Sequence, residues 1–540
     1  MVVNYIEATT LGHLVDRQAA ATPEREALVF PDARLTYAQL AERSDAFARA
    51  LLGLGVEAGD KVGILLANRV EFVLALFGAA KLGAVVVPVN ARFKVSELSH
   101  VIGHSDARVL ITAAAPDGTD YPELLTQVFP ELPEQDARAL RLAGAPALRQ
   151  IVDLDAERPG LLAREQFEAG GQDLGARGVQ VRIRDVAMLM YTSGTSARPK
   201  GCLLTHEALV RHGANVARAR FDLTDQDTFW DPLPLFHIGG IVPMLGTFSV
   251  GAKFVHAGHF EPTTALRMLE EERATVIYPA FETIWLQVLD HDAFDRHDLS
   301  AIRIIQSICV PERLMQLEAR MPYAAQVSSY GATECSSNLT LTRPDDGYDA
   351  RMNTLGRPLE GMQVKIAHPE TGERLEPNTV GELCFKGYAL FEGYYKDPEL
   401  TAAAFDAEGY FHSQDLAKLD DAGRLTYAGR LKDMLKVGGE NVSALEVEGH
   451  LVGHPAVSIA QVVAAPDAKY GEVVAAFVQL KRNATATEDE IVAYCQGQIA
   501  SYKVPRHVRF VDEWPMSGTK IQKFVLREAI AAELGAPVPG

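Results

Sequence analysis

Hydrophobic and polar positions follow two different periods along the first half of the chain. A helical stripe of apolar residues begins at Thr36 and ends at Gly53. Apolar runs over Lys61–Leu66 and Ala84–Val89 predict buried strands, and Glu71–Leu82 between them predicts a helix. This alternation predicts an α/β fold in which helices cover parallel β-sheets.

The pattern then changes twice. Pro, Gly and acidic residues over 116–180 predict an irregular excursion. Beyond residue 430, a pattern of helix, two strands and a second helix predicts a self-contained α+β unit. In that second helix, Thr487 and Glu490 have the spacing of a capping box. We therefore predict a large N-terminal domain, residues 1–430, and a small C-terminal domain, residues 431–540.

Composition excludes several classes of protein. Apolar residues make up 47% of the 540 residues, and 52 basic against 71 acidic residues give a formal charge of −19, which argues against a nucleic-acid partner. The five cysteines are scattered and predict neither a disulfide framework nor a zinc site. The N-terminus has no signal-peptide pattern, and Lys81 interrupts the longest apolar stretch. We expect a cytoplasmic protein without a membrane partner.

The segment Tyr191–Gly201 (YTSGTSARPKG) has the residue types of a phosphate-binding loop. It follows an apolar strand, and a helix is predicted to begin near His206. Small residues let backbone N–H groups approach an anion, hydroxyl groups donate hydrogen bonds, and Lys200 adds positive charge. The G-K-[ST] ending of a Walker A loop is missing. An ordinary polar turn is the alternative at this stage.

This segment resembles the phosphate loop of the adenylate-forming superfamily, which includes acyl-CoA synthetases, peptide-synthetase adenylation domains and luciferases. Further motifs resemble those of the family and follow in its order: Pro234–Gly239 (PLFHIG), Tyr330–Glu334 (YGATE), Gly381–Tyr394 (GELCFKGYALFEGY), Tyr410–Asp415 (YFHSQD), Gly429–Glu440 (GRLKDMLKVGGE) and Trp514–Lys523 (WPMSGTKIQK). The resemblance covers essentially the whole chain. It implies a mobile C-terminal domain that carries the loop of Lys520.

The resemblance implies a site for ATP and AMP built from several motifs. Its nucleotide-binding residues would be Thr192, Ser193, Gly194, Thr195, Ser196, Lys200, Ser328, Ser329, Tyr330, Gly331, Ala332, Thr333, Asp415 and Arg430. A carboxylate such as Asp415 can accept hydrogen bonds from both ribose hydroxyls, and Glu334 is a hard oxygen ligand suited to Mg²⁺. The catalytic residues implied are Lys520, Glu334, Thr195 and His237.

The resemblance also implies an acyl pocket and a channel for coenzyme A. The pocket candidates are Trp230, Phe236, His237, Tyr278, Phe281, Ile308 and Ser329, with His237 as a gate between pocket and channel. They suggest a medium-sized apolar or cyclic acyl group. The channel candidates are Gly438, Gly439 and Glu440, and Lys432 occupies the family's hinge position.

Three segments depart from the family pattern. Ser196-Ala197 stands where Thr-Gly is usual, Thr519 replaces the Gly before Lys520, and Gln306–Pro311 (QSICVP) replaces a Gly-Gly-Ala-Pro-like stretch. Ala197 and Thr519 each restrict a backbone that Gly would leave free.

Five readings of the function follow from these motifs. We predict an AMP-forming acyl-CoA ligase that acts on a carboxylic acid. The first alternative is a ligase specialised for thioesterification, which takes a pre-made acyl-adenylate and adenylates weakly or not at all. An enzyme like a peptide-synthetase adenylation domain, a luciferase-like oxygenase and an inactive nucleotide-binding homologue are more remote. A homodimer is left open.

Overall fold

The structure is a computed structural model that describes residues 9–176, 180–192, 199–438, 440–517, 520–536 and 538. Its strands up to the middle of the chain are β1 Glu26–Phe30, β2 Ala33–Thr36, β3 Lys61–Leu65, β4 Val85–Pro88, β5 Ala107–Thr112, β6 Gln150–Asp153, β7 Leu162–Ala163, β8 Val186–Thr192, β9 Lys200–Thr205, β10 Thr228–Trp230, β11 Lys253–Val255, β12 Val276–Phe281, β13 Ile304–Ile308 and β14 Ala325–Val327. The later strands are β15 Ser329–Ala332, β16 Ser337–Leu341, β17 Arg357–Pro358, β18 Met362–Ala367, β19 Gly381–Gly387, β20 Phe411–Leu419, β21 Leu425–Arg430, β22 Met434–Val437, β23 Glu440–Ser443, β24 Val457–Asp467, β25 Gly471–Leu480, β26 His507–Phe510, β27 Met516–Ser517 and β28 Lys520–Ile521.

The α-helices lie mostly between these strands. They are α1 Leu11–Ala21, α2 Tyr37–Gly53, α3 Val70–Lys81, α4 Val95–Ser105, α5 Tyr121–Val128, α6 Arg164–Ala169, α7 His206–Ala219, α8 Ile238–Ser249, α9 Pro262–Glu271, α10 Glu282–Leu289, α11 Pro311–Arg320, α12 Tyr348–Asn353, α13 Pro398–Ala403, α14 Ala444–Val452, α15 Glu488–Cys495 and α16 Lys523–Glu533. Within the residues described, no helix combines the length and apolar character needed to cross a bilayer.

Two seven-stranded sheets form the framework of the N-terminal domain. One has the order β7-β6-β5-β3-β4-β8-β9 and the other β14-β13-β12-β10-β11-β1-β2. In each sheet the pairs are parallel except for the last strand, β9 or β2, which is antiparallel to its neighbour. Helices pack against both sheets, and α2 begins at a capping box formed by Thr36 and Gln39. The predicted α/β architecture is confirmed.

The interpretation of residues 116–180 as an irregular excursion is wrong. The segment contains helices α5 and α6, and strands β6 and β7 extend the first sheet, with β6 parallel to β5 and β7 parallel to β6. Strand β6 has only four residues and β7 only two. Apolar runs this short cannot be recognised by their periodicity in the sequence.

The segment after the phosphate loop also differs from the prediction. Strand β9 begins at Lys200 and returns antiparallel to β8, so the loop connects two strands of a hairpin rather than a strand and a helix. Helix α7 begins only at His206, capped by the side chain of Thr205. Strand β9 therefore separates the N-terminus of α7 from the loop.

The rest of the chain forms smaller sheets. Strands β15–β17 and β18–β21 make two antiparallel sheets beside the large ones. Strands β22–β26 form a five-stranded sheet that is covered by α14 and α16 and has its own apolar core. The prediction of a small C-terminal α+β unit is confirmed, including the capping box of Thr487 and Glu490.

The C-terminal sheet domain docks on helix α11. Val310 belongs to the apolar cluster of that domain rather than to the N-terminal core. The buried Arg313 donates to Glu282 (2.9 Å) in α10 and to the carbonyl of Ser458 in β24. Gln316 donates to the carbonyl of Val452 at 3.4 Å. Part of the atypical 306–311 stretch therefore contacts the C-terminal domain.

Candidate active site

Four side chains from three strands meet at the end of the β18–β21 sheet. The hydroxyl of Tyr330 donates to Oδ2 of Asp415 at 2.6 Å, and the hydroxyl of Tyr427 lies 3.5 Å from Oδ1. Nε of Arg430 is 3.5 Å from Oδ1. Burial, together with the neighbouring carboxylate of Asp415, raises the pKa of Tyr330 well above its usual value, so its hydroxyl remains a donor. We call this group the ribose corner.

Backbone geometry explains why Asp415 reaches this position. Asp415 and Arg430 are paired residues on the antiparallel strands β20 and β21, so their side chains lie on one face. The preceding residue, Gln414, has a left-handed φ of 62°, an uncommon conformation for a non-glycine residue. Glu382 stabilises it by accepting hydrogen bonds from the backbone N–H and the side-chain amide of Gln414, both at 3.1 Å.

Glu334 lies in a short turn directly after β15. Its carbonyl accepts a hydrogen bond from the backbone N–H of Phe391 (2.9 Å), and its Oε1 accepts one from the hydroxyl of Tyr394 (3.2 Å). The turn ends at Ser336, whose φ of 57° reverses the chain into β16. Thr333 is the first residue of the same turn, directly before Glu334.

Only the two ends of the phosphate loop are described. Thr192 and Lys200 are paired residues of β8 and β9, so they close the loop at its base. The ammonium group of Lys200 lies 5.5 Å from the centre of the Tyr394 ring. Ser193, Gly194, Thr195, Ser196 and the atypical Ala197 lie outside the described residues.

The remaining residues of the YGATE region support the backbone. A Cβ on Gly331 would lie 1.9 Å from the carbonyl oxygen of Ser337, so this glycine is required by the packing of β15 against β16. Ser328 is buried, and its backbone N–H donates to Thr342 at 2.8 Å. The backbone N–H of Ala332 points to the sulfur of Cys335 at 3.3 Å.

Two of the acyl-pocket candidates are neighbours at the ends of parallel strands. Phe281 of β12 and Ile308 of β13 are paired residues, and Ile308 is 36% exposed although it follows a buried strand. The preceding Ala280 has a φ of 57°, next to an irregularity in the pairing of these strands. Such strain outside glycine costs about 1–3 kcal/mol and is typical of functional sites.

Tyr278 and Ser329 are joined by two residues that the sequence did not single out as site residues. Ser329 Oγ accepts hydrogen bonds from Gln306 and Asn338, both at 2.9 Å, and Asn338 also donates to the hydroxyl of Tyr278 at 3.1 Å. All four side chains are buried. Gln306 begins the atypical 306–311 stretch, which was the one signal in the sequence that could have identified it.

Trp230 does not join the other acyl-pocket candidates. It is fully buried in a cluster with Trp285 and Ile277, whereas its neighbour Phe229 packs with Tyr278. Successive residues of a strand point to opposite faces, so the Trp230 side chain lies on the other face of the sheet. The assignment of Trp230 to the acyl pocket is therefore wrong.

Phe236 and His237 lie at the beginning of α8. The Phe236 ring is buried, and the two ring centres are 4.9 Å apart. His237 occupies the N-cap position of α8 and is partly exposed.

The predicted C-terminal elements are described in part. Gly438, with a φ of 59°, lies in the turn between β22 and β23, and Glu440 begins β23, while Gly439 is outside the described residues. Lys432 lies in a 3₁₀ turn between β21 and β22. Lys520 pairs through its backbone with Ser517 in the β27–β28 hairpin, and the atypical Thr519 between them is not described.

Comparisons with known proteins identify the family of the chain. A sequence profile described as "AMP-binding enzyme" matches residues 15–395, and one described as "AMP-binding enzyme C-terminal domain" matches residues 446–520. The chain is 37% identical over 533 residues to the "Putative acyl-CoA synthetase YngI" of Bacillus subtilis (strain 168), covering 96% of this chain and 97% of that protein. It is 32% identical to the mitochondrial medium-chain acyl-CoA ligase ACSF2 of Rattus norvegicus, over 97% of this chain and 88% of that protein.

A solved structure agrees as well. The anthranilate CoA ligase AuaEII in complex with anthranoyl-AMP matches with a TM-score of 0.87 and 26% identity, covering 98% of both chains. The chain belongs to the AMP-binding enzyme family and is a nucleotide-binding, AMP-forming acyl-CoA ligase that works through an acyl-adenylate.

Proposed function

We propose that this ligase joins a medium-sized apolar or cyclic carboxylic acid to coenzyme A, with Mg·ATP as the energy source and the residues of the candidate site in the roles below. The observation that carries the proposal is the ribose corner, where Asp415 and Arg430 meet Tyr330 at the start of the YGATE segment. A carboxylate held by a buried tyrosine accepts hydroxyl hydrogen bonds from a ribose without first having to be oriented.

The first step is adenylation. A carboxylate oxygen of the acid attacks the α-phosphorus of ATP, a new P–O bond forms, and the bond to pyrophosphate breaks. Lys200 at the base of the phosphate loop, Thr195 within it and the ammonium group of Lys520 are proposed to stabilise the negative charge that develops. Glu334 supplies hard oxygen atoms, and Thr333 directly before it in the same turn adds a hydroxyl, residue types that fit Mg²⁺. When bound, the ion would neutralise charge on the phosphate oxygens.

The second step is thioester formation. The thiolate of coenzyme A attacks the acyl carbonyl carbon, and AMP leaves with the electrons of the C–O bond. We propose that residues 431–540 move as one domain about Lys432 between the steps, and that the 438–440 turn lines the thiol channel. Hinges of this kind lie at the ends of elements, where a few residues absorb the change in φ and ψ. His237 would separate the channel from the acyl pocket.

The side chains proposed to line the acyl pocket favour an acid of limited length. Ile308 occupies the pocket edge where the family commonly has glycine, and Phe281 lies beside it. The relatives bear names that refer to medium-chain and anthranilate substrates, so both straight-chain and aromatic acids belong in the first panel.

All five cysteines are unpaired, as a reducing cytoplasm would leave them.

The test is a pair of half-reaction assays on one purified protein. Acid-dependent exchange of radiolabelled pyrophosphate into ATP reports adenylation, and mass spectrometry of the CoA ester formed from synthetic acyl-AMP reports thioesterification. We expect the protein to catalyse both adenylation and thioesterification, with acids of C6–C10 or with benzoates. Rapid turnover of acyl-AMP without exchange would favour the thioesterification-specialised alternative. Exchange without any CoA ester would contradict the proposal.

A further inference from the structure

Tyr394 lies between two groups that the proposed mechanism places on the nucleotide. Its hydroxyl donates to Oε1 of Glu334 at 3.2 Å, and its ring lies beneath the ammonium group of Lys200, 5.5 Å from the ring centre. Glu334 follows β15 and Lys200 begins β9, so the two residues come from different sheets. The side chain of Tyr394 contacts both.

The backbone around Tyr394 fixes its position. Residues 391–395 run along β9: Glu392 N–H donates to the carbonyl of Leu203 (2.8 Å), and Leu203 N–H donates to the carbonyl of Gly393 (3.1 Å). On the other side, Phe391 N–H donates to the carbonyl of Glu334. Gly393 adopts a φ of 140°, where a Cβ would lie 2.8 Å from Thr401. The segment is thus attached both to β9 and to the Glu334 turn.

The direction of the hydrogen bond is also defined. A phenolic hydroxyl carries its proton at neutral pH and an ionised carboxylate can only accept, so Tyr394 donates to Glu334. An ionised carboxylate has about four lone-pair sites, so one donated hydrogen bond leaves it able to bind a cation.

We propose that Tyr394 is a positioning residue for Mg·ATP, which orients the Glu334 carboxylate through its hydroxyl and the Lys200 ammonium through its ring. This inference rests on the proposed function, because it takes Glu334 as the ligand of Mg²⁺ and Lys200 as a phosphate contact. The ring contributes a cation–π interaction with Lys200, and the hydroxyl acts on Glu334. The two roles can be separated by substitution.

The next residue provides a matched control. Tyr395 has the same kinds of contact in another place: its hydroxyl donates to Asp106 at 2.8 Å, and Lys396 and Lys61 lie 5.3 and 5.5 Å from its ring centre. Tyr394→Phe and Tyr395→Phe therefore remove the same atom from adjacent residues. Only the first removes a hydrogen bond to Glu334.

The experiment measures ATP binding by calorimetry at several Mg²⁺ concentrations, without any acid. We expect Tyr394→Phe to weaken the Mg²⁺-dependent part of ATP affinity about tenfold, the low end for a hydrogen bond to a charged group. Its affinity for ATP without Mg²⁺ should match the wild type, because the ring remains. Tyr394→Leu should weaken that Mg²⁺-independent affinity as well. Mn²⁺ titration followed by electron paramagnetic resonance gives a second measure of cation binding.

The outcomes separate this inference from the proposed function. Unchanged Mg²⁺ dependence in Tyr394→Phe, tighter binding, or an equal loss in Tyr395→Phe would overturn the role of Tyr394. Thioester formation from synthetic acyl-AMP should stay within about twofold of wild type in Tyr394→Phe, since that step needs no pyrophosphate contact. If no tested acid yields a CoA ester with the wild type, the proposed function fails, while the binding result still decides the role of Tyr394.

Discussion

Replacement of Asp415 by alanine tests the ribose corner directly. The carboxylate is mostly buried, with 16% of its side chain exposed, and faces Tyr330, Tyr427 and Arg430. Loss of a charge-assisted hydrogen bond to a ribose hydroxyl is worth about 1.5–3 kcal/mol, or roughly ten- to hundredfold in Kd. The protein itself should lose about 1–3 kcal/mol of unfolding free energy, because the buried Tyr330 hydroxyl loses its acceptor.

The assay separates these two effects. Calorimetry compares AMP with 2′,3′-dideoxy-AMP on wild type and Asp415→Ala. Wild type should prefer AMP, and the variant should bind the two nucleotides alike. Asp415→Asn keeps an acceptor for Tyr330, so it should recover most of the stability but little of the affinity. Asp421→Asn, at an exposed carboxylate in the following loop, serves as the control.

Two results would refute the ribose assignment. One is unchanged affinity of Asp415→Ala for a non-hydrolysable acyl-AMP analogue. The other is an equal loss of affinity for AMP and for the dideoxy nucleotide, because the carboxylate would then act on the fold and not on the ribose hydroxyls.

Three further predictions concern the C-terminal domain and the atypical loops. Arg313→Ala should lower the thermal midpoint and speed hydrogen exchange in α14, because it leaves the Glu282 carboxylate, 19% exposed, without this partner. The cost is below the roughly 3–5 kcal/mol of a fully buried pair. Arg482→Ala, which removes an ion pair exposed on both sides, should change neither the midpoint nor the exchange. Lys432→Pro should impair one half-reaction much more than the other, since proline fixes φ near −65°, and equal losses with intact circular dichroism would exclude the hinge. If pyrophosphate exchange is weak in the wild type, Ala197→Gly with Thr519→Gly should increase it, and no increase would indicate that both departures are neutral.

The sequence motifs named residues that the structure brings together, but they did not predict the contacts between them. Asp415, Arg430 and Tyr330 were expected at the nucleotide, and the structure brings them together. Tyr427 was not expected, because a lone tyrosine in a short strand has no distinguishing pattern. It enters the corner because β21 pairs with β20, which places it opposite Ala417 and close to Asp415.

The buried hydrogen bonds near the acyl pocket show the same limit. Asn338 lies 60 residues from Tyr278 and nine from Ser329, and nothing in the local sequence joins them. Asn338 was missed, whereas Trp230 was assigned to the acyl pocket and does not lie there. Its residue type suited a pocket, but its position in the strand directs the side chain to the opposite face of the sheet. A type of residue is a property of the sequence, whereas the face on which it lies depends on the start and register of a strand.

The sequence by itself determined the α/β class, the order of the motifs and the family, because apolar periodicity and short motifs are encoded in neighbouring residues. The tertiary structure decided that β6 and β7 extend the first sheet, that the phosphate loop lies within a hairpin, and that Val310 packs with the C-terminal domain. It also brought Tyr394 between Glu334 and Lys200. These contacts join residues far apart in the chain, and strand pairing and core packing fix such contacts only when the whole domain has folded.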